Sequence, residues 1–330
     1  MKKIDCSSLV TVVILTYNSE EFVIETLESI KAQTYSNIEL IISDDCSCDH
    51  TVDQCNEWVE NNKEYFVNTL VLTVTANTGT AGNCNRALAN SKGKWLKFLG
   101  ADDLLSPDAI ENYIKFAALN LNINALFAED IHFIGNILDK NFSYDIWELR
   151  YFAFRRNITS KGQYNILKKI YFGSGPTFFV TREALMKVGG FDERFPLIED
   201  YPIFLKLTKA GYKLYFMPCV AVYKRVHSGS VSHASNSNSL YTNAVVLTVK
   251  QYKLLYKREN LGRVGKKLLN ISLFLQNNVI DSGNSRKNFQ SVFFYYLQRI
   301  MDPFVLYSRL LNIADKLQKY LMLRNYTIVL

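Results

Sequence analysis

The sequence predicts an α/β fold: an open, mostly parallel β-sheet covered by helices on both faces, followed by a helical C-terminal region. Three observations carry this expectation. Near-continuous apolar runs alternate with amphipathic stretches through the first third of the chain, the signature of strands buried on both faces. Each apolar run gives way to a short polar cluster. Beyond the Ser/Asn-rich stretch 228–239 the chain becomes basic and reads as helix. With 330 residues, 48% hydrophobic and 21% charged, there is material for one large core, or one core with an appendage.

In order, residues 9–15 read as a strand, followed by a helix with Val23, Leu27 and Ile30 on one face and Glu20 and Glu21 in its first turn. Residues 38–42 form the next strand, closing at Ser43-Asp44-Asp45, and a helix over 51–59 leads to a strand over 70–74. Asn77-Thr78-Gly79 precedes a short helix over 81–89, then a strand over 95–99. Ser106-Pro107 reads as an N-cap with proline at the first helical position, opening a helix to about 119. Residues 142–169 are irregular and rich in aromatics and arginine. A strand over 177–180, a helix from Arg182, the Gly189-Gly190 break, a helix from Glu199-Asp200 to about 210 and strands over 214–217 and 220–223 complete the pattern. Ligands of open α/β sheets sit beyond the carboxyl ends of the strands. The clusters Thr16-Tyr17-Asn18, Asp44-Asp45, Asn77 and Asp102-Asp103 are therefore expected to meet in one crevice.

Several function classes are excluded. A dinucleotide enzyme needs Gly-x-Gly-x-x-Gly after the first strand, where Thr16-Tyr17-Asn18 stands instead; Gly173-Ser174-Gly175 has Phe178 at the third glycine's place. No Gly-x-x-x-x-Gly-Lys-[Ser/Thr] phosphate loop occurs, and the six cysteines include no zinc-type pair of CxxC spacings. The apolar run after Met1-Lys2-Lys3 stops at Thr16-Tyr17-Asn18 without a small-residue cleavage site. The cysteines are accordingly expected to be reduced thiols of a cytoplasmic protein. No uninterrupted apolar stretch of about twenty residues is present, so a membrane-spanning helix is not expected. The net charge of +7 suits anionic partners.

The motifs, taken together, resemble family 2 glycosyltransferases with the GT-A fold. They are Val12-Val13-Ile14-Leu15-Thr16-Tyr17-Asn18, then Asp44-Asp45 with Ser47 and Asp49, then Asp102-Asp103, then Glu199-Asp200, and the likeness covers roughly 9–233. It implies a catalytic domain over 1–238 with a helical region over 239–330, and inverting transfer of a sugar from a UDP-sugar donor to a hydroxyl of a glycan or lipid-linked glycan. Within it, Asp45 would accept a hydrogen bond from the uracil, a task suited to an acceptor-only carboxylate, and Thr16, Tyr17 and Asn18 would contact the same base through their backbone. Turn and cap chemistry is the competing role for Asp44, Asp45 and Asp49. Asp103 would ligate Mn²⁺ or Mg²⁺, neutralising the leaving diphosphate, and Asp102 would touch the ribose. Many relatives read Asp-x-Asp-Asp where this chain has Gly100-Ala101-Asp102-Asp103, one carboxylate fewer. Asp200 would act as general base, with Glu199 orienting the acceptor; an acidic pair in a helix's first turn also follows from the macrodipole alone. Arg225-Val226-His227 resembles the family's Arg-x-His element, which makes His227 a metal or phosphate ligand and Arg225 a charge stabiliser. Gly173-Ser174-Gly175-Pro176 lines the acceptor side or forms a strand-entry turn; the sequence leaves both open.

The resemblance places the chain in bacterial surface-polysaccharide assembly, with no nucleic-acid partner. A non-catalytic sugar-nucleotide binder on the same fold is the other reading. In the C-terminal region, Lys250, Lys253, Lys257, Arg258, Arg263, Lys266 and Lys267 alternate with leucines, and Phe293-Phe294-Tyr295-Tyr296 and 304–311 are apolar. Two readings stand equal: helices lying on the inner face of the cell membrane, or helices packing on the catalytic domain or a second subunit as a homo-oligomer.

Overall fold

The computed structural model describes residues 7–119, 122–135, 137, 142–143, 153–154, 157–168, 171–227, 239–241, 261–303 and 305–306. The chain divides into two compact units. The first comprises Met1–Ile146, Asn157–Tyr164 and Gly173–Val226, and the second Trp147–Arg156, Asn165–Phe172 and His227–Leu330.

The first unit is built on one sheet of nine strands: β1 (Val10–Thr16), β2 (Ile38–Asp44), β3 (Asn68–Leu72), β4 (Trp95–Gly100), β5 (Leu104–Leu105), β6 (Ala125–Phe133), β7 (Phe142–Ser143), β8 (Phe179–Thr181) and β9 (Leu214–Arg225). Their order is β3-β2-β1-β4-β8-β6-β9-β5, with β7 on β6. The block β3-β2-β1-β4 is parallel. Beyond it, β8 runs antiparallel to both β4 and β6, β9 is parallel to β6, and β5 is antiparallel to β9. The expected mostly parallel sheet is thus a mixed one, parallel in its N-terminal half. Helices α1 (Val23–Lys31), α2 (Thr51–Asn62), α3 (Gly79–Asn90), α4 (Ala109–Ala118), α5 (Ser160–Leu167), α6 (Arg182–Lys187) and α7 (Asp200–Lys209) accompany the strands. Val23, Leu27 and Ile30 of α1 are buried in one cluster with Val12, Ile14, Leu40 and Ile42. Burying each such side chain contributes about 1.5–3 kcal/mol.

Four local expectations are corrected. Ser106 does not cap a helix: its hydroxyl bonds Asp108 Oδ1 at 3.2 Å and the Val220 carbonyl at 3.1 Å, and α4 starts at Ala109 with Asp108 as N-cap. The two strands over 214–217 and 220–223 are one, β9, whose pairing with β6 shifts register opposite Glu129. Extra residues around Pro218 are absorbed by that bulge, because proline cannot donate to the ladder. The strand over 177–180 begins instead as a 3₁₀ turn, Gly175–Thr177, ahead of β8. Finally, β6 is missing from the sequence reading, since Glu129 and Asp130 interrupt its apolar run.

In the second unit, α8 (Arg263–Asp281) and α9 (Phe289–Met301) pack around Leu269 and Leu273, with a buried polar knot in which Gln298 Nε2 donates to Ser272 Oγ (2.8 Å) and Asp302 Oδ2 (3.1 Å). Most of the predicted basic and apolar stretch, including Lys250, Lys253, Lys257, Arg258 and the run from 307, and the Ser/Asn loop over 228–238 lie outside the described residues. No described helix is long and apolar enough to cross a membrane.

Candidate active site

The first corner of the site is a clasp between the turns that follow β1 and β2. Thr16 Oγ1 donates to Asp44 Oδ1 (2.7 Å), and Asp44 also accepts the backbone N–H and hydroxyl of Ser47 (2.8 and 2.5 Å). Asn18, left-handed at φ 47°, receives Cys48 N–H on its side-chain oxygen at 2.9 Å and gives its own N–H to Ser47 Oγ at 2.8 Å. Cys46 is left-handed as well, at φ 71°. Non-glycine residues there store of order 1 kcal/mol of strain each, which the clasp must hold. Asp49 accepts from Thr51 and from the Glu20 N–H. Turn chemistry therefore accounts for Asp44 and Asp49, while the Tyr17 ring is left half exposed above the clasp.

Asp45 faces the N-terminus of α3. Thr78 N–H donates to both its oxygens (3.1 and 3.0 Å), Thr78 Oγ1 to Oδ1 (2.6 Å), Gly79 N–H to Oδ2 (2.7 Å) and Arg86 Nη2 to Oδ1 (3.0 Å). Burial alone would raise its pKa; these donors outweigh burial and hold it below the usual carboxylate value. A carboxylate offers about four lone-pair sites. The expected uracil contact thus competes with a filled carboxylate, and a base N–H reaches Asp45 only by displacing one of these donors. Asn77 sits at the same corner, its side-chain oxygen on Gly79 N–H at 3.0 Å.

On the turn after β4, Asp103 is buried, its Oδ1 accepting Arg225 N–H at 3.0 Å and its carbonyl accepting Thr26 Oγ1 at 2.9 Å. Burial pushes its pKa well above the ordinary value and Asp102 adds to the rise, with Lys224, the Arg225 N–H and Lys97 opposing. Arg225, expected as a charge stabiliser, is engaged within the protein. Its guanidinium bonds the Asp102 carbonyl (3.1 Å), the Gly135 carbonyl (2.7 Å) and Glu25, and lies over the rings of Phe22 and Phe133. It locks the end of β9 to the Asp102-Asp103 turn; a second cation nearby is the half-buried Lys224, whose charge acts on both Asp103 and Glu199.

Glu199 stands at the N-cap of α7 and Asp200 in its first turn, where Asp200 Oδ1 accepts Tyr201 N–H at 2.6 Å. Burial, then the Asp200 charge, pushes Glu199 up to about 8. A methyl placed on Gly175 would lie 3.3 Å from Asp200 Oδ2 and 3.5 Å from Glu199 Oε1, so the 3₁₀ turn forms the floor beneath the pair. The other side of the pair is tied to Asp45 through Pro196, which presses on Gly79 (φ 77°) so closely that a methyl there would meet its Cβ at 2.5 Å. The buried Cys84 thiol, raised first by burial, feels Glu199, Asp200 and Asp45 together. From Pro176 the contact continues to Lys97 Nζ, and Lys97 feels Asp103. The acids at 45, 103, 199 and 200 are thus neighbours around one end of the sheet, drawn from three segments of the chain. His227 lies two residues past β9, at the start of the second unit.

Among the described residues no group of three or more His, Cys, Asp and Glu forms a ready metal cage. The Asp102-Asp103 pair nevertheless fits a divalent cation, because Mg²⁺-type ions are commonly held by one or two carboxylates plus substrate phosphates, and a cation would offset the burial and the Asp102 repulsion that raise Asp103. Sequence reasoning missed Lys97, Lys224 and Arg86, while Gly175, singled out within Gly173-Ser174-Gly175-Pro176, lies in the turn that enters β8. Only the lysine within the apolar run Trp95-Leu96-Lys97-Phe98-Leu99 stood out as an irregularity that could have been noticed.

This arrangement, a mixed sheet with acidic residues at the ends of its strands and on α7, defines a GT-A glycosyltransferase. The chain belongs to glycosyl transferase family 2, whose model matches residues 11–189. It is similar to the UDP-Glc:alpha-D-GlcNAc-diphosphoundecaprenol beta-1,3-glucosyltransferase WfaP of Escherichia coli, 29% identical over 231 residues, covering 68% of this chain and 80% of that protein. Among solved structures, S. aureus TarS 1-349 in complex with UDP-GlcNAc aligns with a TM-score of 0.56 at 17% identity, covering 81% of each chain. The Pyrobaculum calidifontis mannosyltransferase PcManGT, in complex with GDP-Man and Mn²⁺, aligns at 0.50 and 18% identity, covering 97% of this chain and 83% of that one.

Proposed function

We propose that this glycosyltransferase moves a hexosyl or N-acetylhexosaminyl group, with inversion, from a UDP-sugar to a hydroxyl of a lipid-linked glycan during surface-polysaccharide assembly. The observation that carries the reading is that Asp45 and the Glu199–Asp200 pair all act on buried Cys84, with Pro196, three residues before Glu199, pressed on the Gly79 that binds Asp45, and Gly175 and Pro176 leading from the pair to Lys97. Support for the donor and acceptor classes comes from the UDP-glucose and diphosphoundecaprenol in the name of the E. coli relative and from the UDP-GlcNAc complex of TarS.

In this reading the uridine lies at the Thr16–Asn18 clasp and Asn77, with Asp102 on the ribose. Asp103, with His227 as a further ligand, holds Mn²⁺ or Mg²⁺, which when bound neutralises charge on the departing diphosphate. Lys224 adds a second positive charge between Asp103 and Glu199. Asp200 takes the proton of the acceptor hydroxyl as its oxygen attacks the anomeric carbon. Glu199, pushed up to about 8, is protonated at neutral pH and can donate a hydrogen bond that orients the acceptor. Incubating the protein with a panel of UDP-sugars and a lipid-diphosphate-linked acceptor tests this. One donor should give acceptor-dependent, chelator-sensitive UDP release and a product of opposite anomeric configuration. Retained configuration would sink the inverting assignment, and undiminished turnover in EDTA the metal.

The catalytic domain spans 1–238 in this proposal, and the helical region 239–330 meets the inner membrane face where a lipid-linked acceptor lies. Phe289, Phe293, Tyr296 and Ile300 support this: spaced along one side of α9, all four are more than half exposed. Full-length protein should co-sediment with anionic liposomes and Phe289→Ser/Phe293→Ser should not; equal sedimentation ends the membrane reading in favour of self-association.

A further inference from the structure

We propose that Lys97 is a positioning residue for glycosyl transfer, its buried amino group holding the 173–177 turn against the Glu199–Asp200 pair. This rests on the reading of Asp200 as general base. Lys97 is fully buried in the middle of β4, flanked by Trp95, Leu96, Phe98 and Leu99, and nothing about a strand flanked on both sides by β1 and β8 calls for a charge. Removing an ammonium from water is strongly unfavourable unless it is hydrogen-bonded and paired. An unbranched apolar side chain such as methionine would fill the same space without that penalty. The amino group's acceptors explain its presence: the Phe98 carbonyl at 2.8 Å and the carbonyl of Pro176, which is 79 residues away in sequence.

The turn that Lys97 reaches is fixed at each successive carbonyl. Ser174 O accepts Thr177 N–H and Oγ1 (3.1 and 3.2 Å), Gly175 O accepts Phe178 N–H (3.0 Å), Pro176 O accepts Lys97, and Thr177 O accepts the hydroxyl of buried Tyr113 (2.6 Å). The Ser174 hydroxyl is tied to Asp130 on β6 at 3.0 Å. Three of these bonds stay within residues 174–178 and would move with the turn. Lys97, Tyr113 and Ser174 connect it to the sheet and to α4, and Lys97 acts on the residue next to Gly175. Gly175 in turn is the point of contact with the acids, 3.3 Å from Asp200 Oδ2 to an added Cβ. Gly173, at φ 125° and packed on Phe204 and Phe127, gives the turn a backbone conformation that a larger residue there would strain. A shift of Pro176 is therefore passed directly to the base, and about 1 Å of misplacement at a reacting group can lower a rate roughly 10²-fold.

The test compares Lys97→Met and Tyr113→Phe with the parent enzyme, measuring kcat and KM for transfer, UDP affinity by calorimetry, and donor hydrolysis without acceptor. Lys97→Met should lose roughly 10–100-fold in transfer kcat, keep UDP affinity within about twofold, and show a raised ratio of hydrolysis to transfer. Tyr113→Phe, which deletes one anchor and keeps the ring, should show the same pattern at several-fold. A Lys97→Met enzyme with parental kcat, or one whose UDP affinity falls in parallel with kcat, overturns the proposal. Should Lys97→Met fail to fold, Tyr113→Phe decides, and an unchanged transfer-to-hydrolysis ratio there overturns it. Asp200→Asn is measured alongside: if it retains transfer, the base assignment falls and this proposal with it; if it loses transfer while Lys97→Met does not, only the role of Lys97 falls.

Discussion

Asp45 and Asp103 are buried almost equally, at 3% and 4% exposure, yet burial has opposite outcomes for them. Asp45 meets the amide end of α3 and a guanidinium, and its pKa falls. Asp103 meets one backbone N–H and another aspartate, and its pKa rises far. Desolvation opposes the charged form at both places and is heavier at Asp103, so depth of burial and the donors each acid finds together decide the sign. The parallel half of the sheet uses the acids that follow β2 as clamps that hold loops. Where the chain leaves β4 to enter the mixed half through β5, and at the start of α7, it keeps acids whose charge is poorly compensated within the protein, and those are the ones available to a cation or a proton.

The largest expected effect is in the mixed half. Asp200→Asn should lower transfer by about 10²–10⁴-fold while UDP affinity is retained, measured by radiolabelled-sugar incorporation and calorimetry. Parental activity would show that the acid pair is only helix-end chemistry. Asp103→Asn should remove metal stimulation of UDP release, a drop on the order of 10²-fold; a mutant still stimulated by Mn²⁺ places the cation elsewhere. Asp45→Asn tests the clamp half. Its amide would confront the donors of Thr78, Gly79 and Arg86, lowering stability by about 2–3 kcal/mol in urea unfolding. If stability is unchanged and nucleotide affinity collapses, Asp45 belongs with the binding groups and the contrast fails.

The smallest effect concerns Glu199. Its ordinary value is 4.5 and its native value about 8, so the native state holds an extra proton across that interval. Native binding of more protons means that stability falls as pH rises between the two values and levels off above the higher one. Glu199→Gln removes this dependence, so its Tm relative to the parent should increase from pH ~5 to pH ~9. A difference that stays constant with pH would mean that Glu199 ionises freely in the folded protein.

Much of the clamp half was legible in the sequence because its signals are local. The strands ending at Thr16, Asp44 and Gly100 are continuous apolar runs, and the residues following them are where open sheets bind ligands. The helix from Glu199-Asp200 was legible for the same reason. The other half was not. β6 hides because Glu129 and Asp130 break its pattern, β9 because Pro218 divides it, and β5 because two residues carry no periodicity. The sequence offered Arg225 as a charge stabiliser beside His227; that its guanidinium also clamps Glu25 was not legible, since Glu25 lies 200 residues away and only folding brings the two together.

The amino-acid order by itself determined the α/β class, the parallel block, the family and the identity of the acids, all properties written in runs of neighbouring residues. Tertiary structure alone decided which acid is saturated and which is poised, that Lys97 reaches Pro176, and that Gly175 sits beneath Asp200. The physical reason is that desolvation and hydrogen bonding depend on what surrounds a group in space, and those surroundings come from segments dozens to hundreds of residues apart.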